Sequence, residues 1–106
     1  MQYYRKIMDL LEAYFEERNW KRYFLTGGCY WLADFLHHSI RNSVIMINRV
    51  EEHCALYFDN GLYDVTGRIS AKNYVVAGEK EINFMKKNYL PKFDTHKVLK
   101  YLENNL

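Results

Sequence analysis

Cys29, His53 and Asp64 are the side chains whose types and order could do covalent chemistry. The segment TGGCYWLADFL, residues 26–36, sets two glycines directly before the cysteine, which opens a run of helical apolar spacing. A helix start carries unpaired backbone N–H groups and a partial positive charge, and both favour a thiolate over a thiol. His53 follows at the start of one strand-like run, and Asp64 lies in the next. A helix-start thiol with a histidine and an acid on neighbouring strands is the set needed for a nucleophile, its base and an orienting carboxylate. Each residue also has a purely architectural reading. Cys29 could be a small core residue, His53 a strand opener bonded to backbone, and Asp64 the holder of the Val65-Thr66-Gly67 turn.

Apolar periodicity gives the helices and strands on which these residues sit. Tyr3, Ile7, Leu10, Leu11, Tyr14 and Phe15 form one stripe and predict a first helix over residues 2–18. The segment NWKRYFL, residues 19–25, reads as an aromatic connector, and Thr26-Gly27-Gly28 as a turn in which Thr26 accepts from the next helix's first turn. In that second helix Cys29, Leu32, Ala33, Leu36 and Ile40 share a face, so the sulfur lies on or near the core side. Residues 43–48, SVIMIN, predict a central strand. Two strand-like runs, near 52–59 and 62–66, flank Asn60-Gly61, a favoured pair for a type I′ turn. Residues 73–78, NYVVAG, give one more short strand. A helix carrying Ile82, Met85 and Tyr89 stops before Pro91. A last helix, capped by Asp94 or Thr95, turns Val98, Leu99, Leu102 and Leu106 inward. The expected fold is α+β in one domain over residues 1–106: N-terminal helices, a small antiparallel sheet with an Asn-Gly hairpin, and C-terminal helices.

Register arithmetic sets a geometric condition on the site. With Asn60-Gly61 as the loop, Asp59 pairs with Leu62, and Tyr57 lies opposite Asp64. His53 has the parity of Tyr57, so His53 and Asp64 share a face, but they are offset by four residues, about 13 Å at strand rise. A His–carboxylate hydrogen bond needs about 3 Å between heavy atoms. A bulge, a strong twist or a different turn is required to close that gap. Cys54 points to the face opposite His53, into the core.

The stretches GGCYWLADFL, EHCALYFDNG and LYDVTG resemble the papain-like superfamily, especially transglutaminase-like domains and small bacterial thiol peptidases and amidases. The resemblance covers about residues 24–67, with a helical C-terminal part over about 79–106, and small phage and Firmicute proteins look similar. It implies Cys29 as nucleophile, His53 as general base and Asp64 as orienter, with the Cys29 backbone N–H contributing to an oxyanion hole. The small Gly27-Gly28 turn is expected to let another backbone or a substrate approach the thiol. Papain-like enzymes commonly add a glutamine donor upstream of the nucleophile. This chain has no glutamine after Gln2, which leaves Tyr23 or Thr26 for that place. No cofactor is implied, and the substrate expected is a protein or peptide.

Composition bounds the alternatives. The 106 residues suffice for one modest core, and 49% hydrophobic with 17% aromatic content excludes a disordered chain. Ten tyrosines suit a half-wet cleft or interface. The net charge of +2 is uneven: residues 1–70 hold 8 Lys/Arg against 9 acids, and residues 71–106 hold 7 Lys against 4 acids. Lys86, Lys87, Lys97 and Lys100 are therefore a candidate surface for a protein partner or a nucleic acid. No apolar stretch approaches membrane-spanning length, and Arg5, Lys6 and Asp9 interrupt the place of a signal peptide, so a cytoplasmic protein is expected with no membrane partner. Two cysteines do not make a disulfide scaffold, and both are expected free. Adjacent His37 and His38 point about 100° apart on a helix and do not chelate together; no spacing matches a zinc site, and no metal is expected. The leading function class is a small cysteine hydrolase or acyl transferase. The alternatives are a non-catalytic phage or mobile-element accessory protein acting by binding, for example an anti-CRISPR-like inhibitor of a host defence nuclease, and, more weakly, a nucleic-acid-binding module. The oligomeric state is not legible.

Overall fold

In a computed structural model, which describes residues 2–106, the first apolar stripe forms α1 (Gln2–Phe15) and buries Ile7 and Leu11 completely. The helix stops short of residue 18 because Glu16 turns into the left-handed region, at φ 55°. Residues 19–25 are not a connector. Trp20 and Phe24 lie one turn apart in a short helix, α2 (Trp20–Leu25), and both are buried, with their rings 6.0 Å apart and edge-on. Phe15 stacks on Trp20, and Phe93 closes the same aromatic cluster against Phe15 and Phe24.

The second predicted helix is α3 (Cys29–Ser39), and it runs through the middle of the molecule. Cys29, Leu32, Ala33 and Leu36 are buried on the expected face; Tyr30, Trp31 and Phe35 are buried as well, and exposure begins at His37 and His38 in the last turn. Thr26 does not cap it. Its hydroxyl donates backwards, to the carbonyls of Tyr23 at 3.2 Å and Arg22 at 3.3 Å, and Gly28 occupies the N-cap position.

The sheet comprises β1 (Val44–Asn48), β2 (His53–Phe58), β3 (Gly61–Asp64), β4 (Gly67–Ile69) and β5 (Tyr74–Val76), in the order β4-β3-β2-β1-β5 with antiparallel neighbours throughout. Helices α4 (Glu79–Asn88) and α5 (Thr95–Asn105) complete the chain. Asp94 caps α5 by accepting the Lys97 N–H at 3.2 Å, and Val98 and Leu102 dock it on the core. α3 packs on the sheet on one side and against α2 and α5 on the other.

The hairpin loop differs from the expected one. Phe58 pairs with Gly61, so the two loop residues are Asp59 and Asn60, both with positive φ, 49° and 61°. Type I′ turns need two such residues, and Asp and Asn tolerate that conformation better than other side-chain-bearing residues. Gly61 instead opens β3, where Arg68 lies across it: a Cβ at Gly61 would come within 3.0 Å of the Arg68 guanidine, which donates to the Asn60 carbonyl at 3.1 Å. In this register Leu56 faces Tyr63, so one step further on Asp64 falls opposite Ala55. The offset between His53 and Asp64 is then two residues rather than four, and they still share a face.

Four residues, 70–73, join the two edge strands. Five chain steps reach at most about 18 Å, whereas four interstrand spacings in a flat sheet span about 19 Å. The sheet must therefore curl, which turns its helix-free face inward; Ala55 and Leu62 on that face are each only 1% exposed. Among the described residues, no helix is long and apolar enough to cross a membrane.

Candidate functional site

Asp64 ends β3 and uses both carboxylate oxygens. Oδ2 meets His53 Nε2 at 2.9 Å, and Oδ1 accepts the Thr66 N–H at 2.8 Å and the Thr66 hydroxyl at 2.5 Å. The architectural and the chemical readings of Asp64 thus coexist: one oxygen holds the turn, and the other holds the imidazole. Tyr4 of α1 adds a hydrogen bond to the Asp64 backbone carbonyl. The two side chains are only 15% and 9% exposed. His53 is raised to about 10, first by its bond to Asp64 and then by Cys29, with burial opposing. For Asp64, burial pulls upward, but the bonds from His53 and Thr66 outweigh it and hold the carboxyl below the usual range.

Cys29, first residue of α3, is 3% exposed. By the hairpin register Cys54 would pair with Val65, which lies past the end of β3, so its N–H is free of the ladder and donates to Cys29 Sγ at 3.3 Å. Among the described residues this amide is the sulfur's well-aligned donor. The Cys54 thiol and the His53 ring stand within electrostatic reach without ideal hydrogen-bond geometry, and the Glu52 carbonyl lies 3.9 Å from the sulfur. Cys29 is pulled down to about 5, first by the Cys54 thiol, against burial, and then by His53 and the Cys54 amide. Cys54 is pushed far up by the same contact and by burial. With Cys29 low and His53 high, the pair is a thiolate and an imidazolium around neutral pH.

The glycine turn is filled by aromatic rings. A Cβ on Gly28 would fall 2.3 Å from Tyr23 Cε2, so Gly28 supplies the space that Tyr23 occupies; its N–H is already given to the Tyr23 carbonyl at 3.0 Å. Among the described residues the Tyr23 hydroxyl is buried without a well-aligned hydrogen-bond partner, although the Lys92 amide stands nearby. Its titration is raised by burial foremost, and Cys29 adds to the effect. Tyr89, just past α4, covers Gly27 and donates to Glu52 Oε2 at 2.6 Å, while Trp31 Nε1 donates to the Tyr89 carbonyl at 2.6 Å. Glu52, with φ 52°, thus touches the thiol through its carbonyl and Tyr89 through its side chain.

His53 and Asp64 open onto a cleft of about 530 Å³ whose walls include Leu25, Asn48, Lys72 and Tyr74. Asn48 pairs with His53 across β1–β2 and with Tyr74 across β1–β5, and its side chain accepts the Val50 and Glu51 N–H groups, fixing the turn that delivers His53. Thr66, Cys54, Glu52 and Tyr89 are the neighbours that the sequence did not single out for the site. Of these only Thr66 carried a local signal, the Asp-x-Thr spacing of a side-chain-held turn. Lys86 and Lys87 lie in the last turn of α4, and Lys97 and Lys100 lie on α5; all four are exposed, and among the described residues none is in an ion pair. His37 meets Ser43 and His38 meets Asp34. Among the described residues no three His, Cys, Asp or Glu side chains gather as a metal site.

No curated protein and no solved structure matches the chain. A family model described as Phage YunG-like protein matches residues 5–103, from within α1 to within α5. The chain therefore belongs to the phage YunG-like protein family.

Proposed function

We propose that this phage-family protein is a small cysteine hydrolase or acyl transferase of papain-like or transglutaminase-like type, with Cys29 as nucleophile, His53 as general base and acid, and Asp64 as orienter. The observation that carries the reading is the 2.9 Å bond between His53 and Asp64 beside a thiol with a depressed pKa. Asp64 occupies Nε2, which leaves Nδ1 as the ring nitrogen free to exchange a proton with the sulfur. The thiolate would attack an amide carbonyl carbon, the imidazolium would hand its proton to the leaving amine, and water or an amine would resolve the thioester. The Cys29 N–H, first in its helix, would face the oxyanion. Thr26 has already committed its hydroxyl, so the Tyr23 hydroxyl is the better second donor. A protein or peptide substrate would enter over the cleft beside His53.

A second reading is favoured by the burial of Cys29, which is only 3% exposed. In it the protein is a non-catalytic phage accessory factor that binds a partner, an anti-CRISPR-like inhibitor being one form, or a nucleic acid through Lys86, Lys87, Lys97 and Lys100. One experiment separates the two. With p-nitrophenyl acetate, the catalytic reading expects an acyl group on Cys29 by acid-quenched mass spectrometry and nitrophenol release beyond one equivalent, both lost in folded Cys29→Ala and His53→Ala. Release by Cys29→Ala at the wild-type rate overturns it, and loss of the protein's effect on host or phage growth in the four-lysine-to-glutamate variant, with Cys29→Ala unaffected, selects the binding reading.

A further inference from the structure

The chain has two cysteines, and the fold brings both to one place. Cys29 starts α3, and Cys54, second in β2, has the parity that faces α3. The 3.3 Å contact from the Cys54 amide to Cys29 Sγ fixes the sulfur against the backbone of the very residue that carries the other thiol. Both thiols are free, and they are 3% and 1% exposed, so no other thiol of the chain competes and bulky oxidants are excluded. We propose that Cys29 and Cys54 form a reversible intramolecular disulfide on exposure to a hydroperoxide, making the pair an oxidation site that ties the start of α3 to β2.

The chemistry needs one peroxide. The Cys29 thiolate attacks a peroxide oxygen; the S–O bond forms as the O–O bond breaks, and hydroxide leaves. Sulfur is oxidised by two electrons, and the peroxide is reduced. The Cys54 sulfur then attacks the sulfenic sulfur, its proton leaves with the departing hydroxide as water, and the S–S bond replaces the S–O bond. A dithiol reductant reverses the last bond. The Cys54 amide, 3.3 Å from Cys29 Sγ, suits this order, because it favours the thiolate on Cys29 beside the residue that carries the second thiol. The disulfide does not depend on the proposed catalysis, but if Cys29 is the nucleophile the same bond switches it off.

Mass spectrometry of the intact chain tests this. The protein is treated with hydrogen peroxide, denatured, and alkylated with N-ethylmaleimide. The expected product is a monomer lighter by two hydrogens with no maleimide adduct, and dithiothreitol before alkylation restores both adducts. In Cys54→Ser the sulfenic acid should persist on Cys29 and be trapped by dimedone. Two alkylatable thiols after both peroxide and diamide would overturn the proposal. So would a dimedone-trapped or over-oxidised Cys29 beside a still-reduced Cys54 in the wild type, or disulfides between chains. Because these readouts need no turnover, a failed disulfide and a failed catalytic reading are told apart.

Discussion

Replacing Asp64 with asparagine preserves shape and removes one charge. Oδ1 can still accept the Thr66 N–H and hydroxyl, so the turn after β3 survives, but His53 Nε2 loses its carboxylate partner. A hydrogen bond to a charged group contributes about 1.5–3 kcal/mol, and side chains 15% and 9% exposed leave little solvent screening. The variant should therefore be less stable by about 2 kcal/mol near pH 6. The pH dependence has a fixed sign. The folded-state value of His53, about 10, lies above its ordinary 6.5, so its stabilisation is complete below about 6.5 and is lost as pH rises through about 10. Asp64 lies below its ordinary 3.8, so its share is present above that value and is lost on acidification through the lower folded one. The wild-type advantage should thus be greatest between about pH 4 and 6.5 and shrink past 10. Urea unfolding, followed by the fluorescence of the buried Trp20 and Trp31, measures it. A difference that is the same at pH 6 and above pH 10, or below about 0.5 kcal/mol at pH 6, would show that the His53–Asp64 bond does not stabilise the fold.

Gly28→Ala should cost about 1–3 kcal/mol in thermal unfolding, because its Cβ would meet the Tyr23 ring at 2.3 Å. Gly27→Ala should stay within about 0.5 kcal/mol of wild type, because its Cβ would meet Tyr89 at an ordinary 3.5 Å. Tyr89→Phe removes the hydroxyl that donates to Glu52; it should speed alkylation of Cys29 in timed mass spectrometry while Cys54 stays unlabelled, at a stability cost under about 1.5 kcal/mol.

The order of elements and the helix-start thiol were legible because each rests on a local signal: the stripe of α1, the glycines before Cys29, and Asp94 before α5. The hairpin loop was not. Asp59-Asn60 and Asn60-Gly61 both supply two residues that tolerate positive φ, and moving the loop by one residue shifts the cross-strand partner by two. Side-chain alternation has a period of two, so every residue stays on its face and the pattern cannot tell the registers apart. The observed register sets Gly61 under the Arg68 side chain, a feature no local pattern announces. That same shift halves the His53–Asp64 offset and permits their hydrogen bond. α2 was missed because six residues are too few for a helical period to stand out, and β4 because Gly67–Ile69 has no buried alternation. The meeting of Cys29 with Cys54 was invisible for another reason: parity shows that Cys54 faces the core but not which helix end awaits it.

His53 and Cys54 are placed to hold Cys29 as a thiolate around neutral pH. The most direct measurement is the rate of iodoacetamide labelling at Cys29 as a function of pH, with the labelled peptides resolved so that Cys54 is scored separately. The midpoint of the profile reports the thiolate fraction whatever access does to the absolute rate. The structure predicts a rate that climbs through about pH 5 and is already flat at neutrality, with Cys54 silent throughout. A midpoint near 8.5, that of a free cysteine, or equal labelling of both thiols, would contradict it.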